Sequence, residues 1–368
     1  MINTMEPIFD EEMLNAATNA LKNEFFLKGE SVKKFEEDFK NYIGTKHALA
    51  LNSGTTALHL SLLAFGIGKN DYVITTPATF IATANAITYT GAYPLFVDIT
   101  LDDYNINHVK IEEAIKQHKN NVKAIMPVHL YGYPSKMDEI NELASKHDLH
   151  VIEDSCQSHG GSYKGKKLGS IGDTGTFSFY PSKNMTVAGD GGMLTTNSDE
   201  VADHVSQLRD CGRSKTKDGI HDYIGYTARL NTVNAAIGRV QLKYLDKWIQ
   251  QRKKIVKRYH EELDDIEELV LPPKDNNDYQ SAWHLFVVRV KDRMKLKEFL
   301  FKEGIRTGIH YDLPVHLHPP YLKMDYKETM FPNAETWAKE VLTIPLHSKL
   351  TEENITLIIQ KVKEFFKT

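Results

Sequence analysis

Between residues 48 and 154, short apolar runs alternate with stretches that carry apolar residues at helical spacing, and this restricts the fold more than any other feature of the chain. Runs at 48–52, 71–75, 94–98, 122–128 and 150–154 read as strands. The segments 57–64, 80–89, 108–116 and 137–147 read as helices. Such repetition builds a mostly parallel sheet covered by helices, because parallel neighbours need a crossover between them. Two helices precede the first strand. Met13, Leu14, Ala17 and Leu21 mark 10–23, and Val32, Phe35 and Phe39 mark 31–42. Sheets of this type take ligands beyond the carboxyl ends of their strands. The polar residues that fall there are Ser53-Gly54-Thr55-Thr56, Asp98, His129 and Asp154.

Further on, 174–180 alternates, with Phe177 and Phe179 on one side and Thr176, Ser178 and Tyr180 on the other. A charged helical stretch at 234–258 leads to a strand at 283–290 and helices at 294–303 and 352–366. The expected fold class is α/β: a large domain over residues 1–245 and a smaller C-terminal α+β domain over 246–368. A chain of 368 residues suits two cores better than one. With a net charge of −4, nothing draws the chain to nucleic acid or to an acidic membrane. No apolar run approaches a membrane span, and the first residues lack the basic-then-apolar pattern of a secretion signal. Two cysteines, Cys156 and Cys211, make no disulfide framework. A cytoplasmic enzyme is the expectation.

Residues 151–193 carry the chemistry. Lys183 follows Pro181-Ser182 and precedes a glycine loop, a place unlike a core. Most lysines are surface lysines. One that holds an aldehyde cofactor must sit at a ligand site beside groups that tune its amine. Asp154 ends the strand HVIED. It is either a turn acid or the partner of a protonated ring nitrogen, which makes a cofactor ring an electron sink. Glu153 points the other way along the strand. Gln157 is placed to donate to a cofactor's phenolic oxygen, or is a plain loop residue. Ser53, Gly54 and Thr55 open a helix, where outward N–H groups suit a phosphate, although Ser is also an ordinary cap. Ser178 adds a hydroxyl, and Phe80 is either a stacking ring or one more core aromatic. Gly189-Asp190-Gly191-Gly192 lacks the G-x-G-x-x-G spacing, which argues against a nicotinamide-dependent oxidoreductase. His310, His316 and His318 match no zinc spacing, so no metal site is expected. They read as lining for a polar substrate or as structural histidines.

Together these motifs resemble the DegT/DnrJ/EryC1/StrS family of pyridoxal-phosphate (PLP) aminotransferases. The resemblance runs from Phe26, Gly29 and Phe35 through NSGTTALHL, Pro77-Ala78-Thr79-Phe80, GAYPLFVDI, VIEDSCQSHG and FSFYPSKNMTVAGDGG to GIRTGIHYDLPVHLHPPY. It implies a fold-type I aminotransferase that is a homodimer with shared sites. Such an enzyme moves an amino group, by family habit from glutamate, to a keto group of a nucleotide-linked deoxysugar. By the same resemblance, Lys183 carries PLP, Asp154 meets the ring nitrogen, Gln157 the phenolic oxygen and Phe80 the ring face. Ser178, with the backbone around Gly54 and Thr55, meets the phosphate. The family often has Asn where this chain has Thr227 in Gly225-Tyr226-Thr227, and that Asn reaches the neighbouring subunit's phosphate. Thr227 keeps a hydroxyl but not the amide; Asn231 and Asn234 are alternative donors. Tyr226, His310, Tyr311 and His316 are candidates for the sugar, and Arg213 and Lys215 for the diphosphate. Lys183, rather than histidine, points to transamination and not dehydration. YPSKN with GDGG and Gln157 favours amination at C-3 over C-4. A keto-cyclitol acceptor and a non-catalytic PLP-binding regulatory protein are the alternatives.

Overall fold

The computed structural model describes residues 1–118 and 121–367. In chain order the strands are β1 (His47–Leu51), β2 (Tyr72–Thr75), β3 (Tyr93–Phe96), β4 (Val122–Ile125), β5 (His150–Asp154), β6 (Ser162–Tyr163), β7 (Lys166–Lys167), β8 (Thr174–Ser178), β9 (Gly192–Thr196), β10 (Tyr279–Gln280), β11 (Phe286–Arg289) and β12 (Val341–Ile344). The helices are α1 (Glu11–Asn23), α2 (Glu30–Ile43), α3 (Gly54–Ala64), α4 (Ala82–Tyr89), α5 (His108–His118), α6 (Met137–His147), α7 (Asp199–Leu208), α8 (Thr232–Leu263), α9 (Arg293–Lys302), α10 (Pro319–Leu322), α11 (Pro332–Glu340) and α12 (Glu352–Lys367).

The central sheet has the order β1-β9-β8-β5-β4-β2-β3. Only β9 runs against its neighbours, pairing antiparallel with both β1 and β8. Both faces are covered, and the period-2 direction of strand side chains shows how. Ala48 and Ala50 of β1 join Phe35, Phe39, Phe177 and Phe179 in one core. Leu49 and Leu51 point the opposite way, toward Leu60, Leu194 and Val205. The same split recurs in β5: Val151 faces Ile111 and Ile140 of α5 and α6, and Ile152 faces Leu58 and Ile87 of α3 and α4. Strands buried on both faces read as continuous apolar runs, which is what makes this region legible.

Helix α8 spans 32 residues. Its first half sends Ala235, Leu242 and Leu245 into the core of the large sheet. Its second half sends Ile255, Val256, Tyr259 and Leu263 into a separate core with Phe286, Leu342 and Ile358. We propose that the two domains divide inside this unbroken helix near residue 246, by which core each half serves. The first residues cross to the smaller domain. Ile2 N donates to Gly304 O (2.7 Å), Arg306 N to Ile2 O (2.9 Å) and Leu346 N to Thr4 O (3.1 Å).

Two polar residues at strand ends are spent on this architecture. Asp98, 2% exposed, accepts from the N–H groups of Asn333 (3.1 Å) and Ala334 (2.9 Å), capping α11 from across the domain boundary. Fully buried His129 bonds Glu153 at 3.0 Å.

Candidate active site

A cavity of about 430 Å³ opens at the carboxyl end of the sheet. That is the size range of small-molecule sites. Helix α3 enters it N-terminus first. Ser53 caps the helix, its Oγ accepting from Thr56 N at 3.0 Å. The cap fixes the turn that leaves β1 and aims the first helical N–H groups at the cavity, a ready anion site. Gly54 is required here by sterics. A Cβ on it would lie 2.7 Å from both Cys156 Sγ and Ser178 Cβ. The helix start, the Asp154 turn and the end of β8 are thus packed backbone to side chain with no room for a methyl group.

Asp154 ends β5 and is 5% exposed. Its Oδ1 accepts from Cys156 N at 3.2 Å, and its Oδ2 accepts from Thr83 Oγ1 at 2.7 Å. Glu153, one residue earlier, faces away as alternation predicts. It is fully buried and accepts from the N–H groups of Gly169 (2.8 Å), Ile171 (2.7 Å) and Gly172 (2.7 Å). It anchors a loop, and Asp154 alone of the two faces the cavity.

Lys183 lines the same cavity, from a loop whose turn is closed by its own N–H on Tyr180 O (2.8 Å). Its side chain is partly open to the cavity and otherwise enclosed by protein. Burial lowers its pKa, opposed by Cys156 and Asp154. A lowered amine pKa is what a nucleophile or proton carrier needs near neutral pH. Asn184, next in the chain, donates to Ala282 O (2.7 Å) and bonds His284 Nδ1 (3.1 Å), which ties the loop to the segment between the domains. His159 lies behind on Phe177 and Phe179, and burial, aided by the Lys183 charge, lowers its pKa to about 3.

The remaining wall combines both domains. Gln157 Oε1 accepts from Tyr131 N (2.9 Å), which turns its Nε2 toward Tyr311 Oη at 3.4 Å. Phe80 precedes α4, lines the cavity and is 52% exposed, with its ring centroid 5.7 Å from that of Tyr311. His310 also lines it, held by Thr343 Oγ1 on Nδ1 (2.8 Å), and burial, with Lys183, lowers its pKa to about 4.

The structure therefore brings Ser53, Gly54, Thr55, Phe80, Asp154, Gln157, Ser178, Lys183, His310 and Tyr311 to one cavity. Other candidates lie elsewhere. His316 is a correction. The segment folds into a tight turn at Val315–Leu317 that buries the ring completely against Phe331, with Nε2 3.2 Å from Glu335. Tyr226 packs on His59 (5.0 Å), outside the cavity walls of its own chain. Thr227 is exposed beside Cys211 Sγ (3.5 Å). Arg213 pairs with Asp210 at 3.6 Å and Lys215 with Asp203 at 2.5 Å, both away from the cavity. Asn231 caps α8, and Asn234 bonds Asp190 O at 3.4 Å. Residues that the sequence did not single out also line the cavity, among them Thr79, Thr83 and Cys156. Two threonines four apart at a helix start were the available signal for the first two. Among the described residues, no group of three metal-ligating side chains occurs.

The parts present fit PLP. A half-buried amine and a buried carboxylate face one cavity, and a helix N-terminus walls it at Gly54, where a side chain would collide with Cys156 and Ser178. The fold and this cavity define a fold-type I aminotransferase, an enzyme class built on PLP. The structure superposes on DesV from S. venezuelae, solved with a ketimine intermediate, with a TM-score of 0.93 at 36% identity, covering 97% of this chain and 95% of that one. The model of the DegT/DnrJ/EryC1/StrS aminotransferase family matches residues 7–363, and the chain belongs to that family. It is 37% identical to the dTDP-3-amino-3,4,6-trideoxy-alpha-D-glucose transaminase of Streptomyces venezuelae, over 96% of this chain and 93% of that one. It is 39% identical to a pleiotropic regulatory protein of Geobacillus stearothermophilus, over 97% and 95%.

Proposed function

We propose that this enzyme uses PLP, held by Lys183, to transfer an amino group from glutamate to a keto group of a nucleotide-linked deoxysugar, with C-3 favoured. The observation that carries the reading is the meeting of Lys183 and Asp154 in one cavity beside the N-terminus of α3. When bound, the cofactor supplies an electron sink for a carbanion at the carbon bearing the substrate nitrogen. Asp154, as a carboxylate, holds a proton at the ring nitrogen. Lys183 Nζ, its pKa lowered by burial, takes and returns the proton at the substrate carbon. The N–H groups of Gly54 and Thr55, with Ser178 Oγ, bind the phosphate. Gln157 Nε2 donates to the phenolic oxygen, and Phe80 covers the ring. His310, neutral because it is buried, and Tyr311 bind the sugar from the small domain.

The cavity walls of one chain hold a single cationic side chain, Lys183, among the described residues. A diphosphate and the carboxylates of a donor need more positive charge than that. A second copy supplies it in our reading, and Phe25, Phe26 and Ile224, which are 86%, 68% and 94% exposed, support such a contact. Thr227, Tyr226, Arg213 and Lys215 then serve the neighbouring site. No helix among the described residues is long and apolar enough to cross a membrane.

The test is to load the protein with pyridoxamine phosphate and mix it with nucleotide-linked 3-keto and 4-keto sugars and a keto-cyclitol. The acceptor restores the visible absorption of Lys183-bound PLP, and a 3-keto sugar is expected to do so fastest. The 39% identity to a protein named as a regulator keeps a second reading in view, a PLP-binding regulatory protein. That reading predicts absorption that no acceptor restores.

A further inference from the structure

The carboxylate of Asp154 is held by a hydroxyl chain, Thr83 and then Thr79, that lines the same cavity. Thr83 Oγ1 lies 2.7 Å from Asp154 Oδ2, and Thr79 Oγ1 lies 2.9 Å from Thr83 Oγ1. All three residues are buried: Thr79 is 3% exposed, Thr83 1% and Asp154 5%. Hydrogen counting sets the direction. A carboxylate only accepts, and a threonine hydroxyl has one proton to give. Thr83 therefore donates to Asp154 and must accept from Thr79. The second oxygen of Asp154 is held by Cys156 N at 3.2 Å. Both oxygens thus have one fixed donor, and the carboxylate plane is locked with lone pairs left for the cavity.

We propose that Thr83, backed by Thr79, is a positioning residue that orients Asp154 toward the cofactor ring nitrogen. The inference rests on the PLP reading above. The placement explains why two hydroxyls stand four residues apart here. Thr79 lies in the loop after β2 and Thr83 in the first turn of α4, so the helix start and the end of β5 are joined through the functional acid. Without the Thr83 donor the carboxylate loses one of its two fixed contacts, and its hold on the ring proton weakens. A weaker hold on the ring proton lowers the electron demand of the ring, and the Lys183 nitrogen bound to it becomes more basic.

The experiment compares the full-length wild type with Thr83→Val, Thr83→Ser and Thr79→Val, each titrated as apo-protein with PLP. The pH midpoint of the bound cofactor's visible absorption is then measured. Thr83→Val keeps the shape and loses the donor. It should bind PLP about tenfold more weakly, the scale of one lost hydrogen bond to a charged group. Its absorption midpoint should move to higher pH, which a role in packing alone would not cause. Thr83→Ser restores both values, and Thr79→Val moves them in the same direction but less. If Thr83→Val does not fold, Thr79→Val makes the same test one bond further out. Unchanged affinity and midpoint in a folded Thr83→Val would overturn the proposal, as would equal loss in Thr83→Ser and Thr83→Val. A wild type that takes up no PLP would instead defeat the cofactor reading on which it stands.

Discussion

Adding one methyl group at Gly54 should disable the phosphate end of the site without touching a charged residue. The Cβ of Gly54→Ala would sit 2.7 Å from Cys156 Sγ, 2.7 Å from Ser178 Cβ and 3.2 Å from Ser178 Cα. Carbon and sulfur do not approach so closely, and neither neighbour is the free end of a flexible side chain. Cys156 is half-buried, its thiol 3.8 Å from Thr176 O, and Ser178 belongs to β8 in the middle of the sheet. The start of α3 must therefore move, or the strand must. Overpacking of this kind costs about 1–3 kcal/mol. Spread over the cradle, it corresponds to roughly a tenfold to hundredfold loss of PLP affinity. Urea unfolding of the apo-protein reads the first quantity, and titration of apo-protein with PLP reads the second. Cys156→Ala removes one of the two clashes, so Gly54→Ala in that background should recover about half of the lost stability. If Gly54→Ala were as stable as the wild type and bound PLP equally well, the close-packed cradle would be refuted.

Glu153→Gln should cost about 3 kcal/mol or more in urea unfolding, since a buried acceptor of three N–H groups and His129 loses its charge. At saturating PLP it should keep the visible absorption, which separates the anchoring acid from Asp154. Stability should also fall in acid through His159. Its pKa is depressed to about 3, so its contribution is complete above its unfolded value near 6.5 and is lost as the pH falls toward 3. His159→Phe should therefore lose about 2 kcal/mol less than the wild type on going from pH 7 to pH 5 in paired urea titrations. His310→Ala should raise the KM for the sugar acceptor several-fold. His316→Ala should leave that KM within about twofold and lower stability instead, because its ring is buried on Glu335 and Phe331. Equal KM effects in the two variants would contradict the placement of both histidines.

The parallel part of the sheet was legible because strands buried on two faces leave apolar runs, as in YVIT and HVIED. Strand β9 carries no such signal. GMLTT has no alternation and is buried only because β1 and β8 flank it, which is a property of the assembled sheet. Strand β12 in the small domain is similar: VLTI follows α11 without a turn signal, and its pairing with β11 decides its state. Helix α3 begins three residues before its apolar pattern because Ser53 caps it. In the site, residues at strand ends could be ranked from sequence, since strand direction assigns Asp154 and Glu153 to opposite faces. What a side chain meets across the fold could not. Thr79 and Thr83 gain meaning only when α4 is set against β5, and His316 loses it when its turn rolls into the core. Asp98 and His129 stand where ligands bind in such sheets, yet both are consumed by packing between elements.

Covalent capture at Lys183 tests the central claim most directly. The protein is incubated with PLP, reduced with borohydride, digested and mapped by mass spectrometry. A single phosphopyridoxyl group on the peptide that contains Lys183 is the predicted result, with no label on that peptide in Lys183→Ala and no transfer of amino groups by that variant. Label on other lysines only, or undiminished turnover in Lys183→Ala, would contradict the assignment of this site.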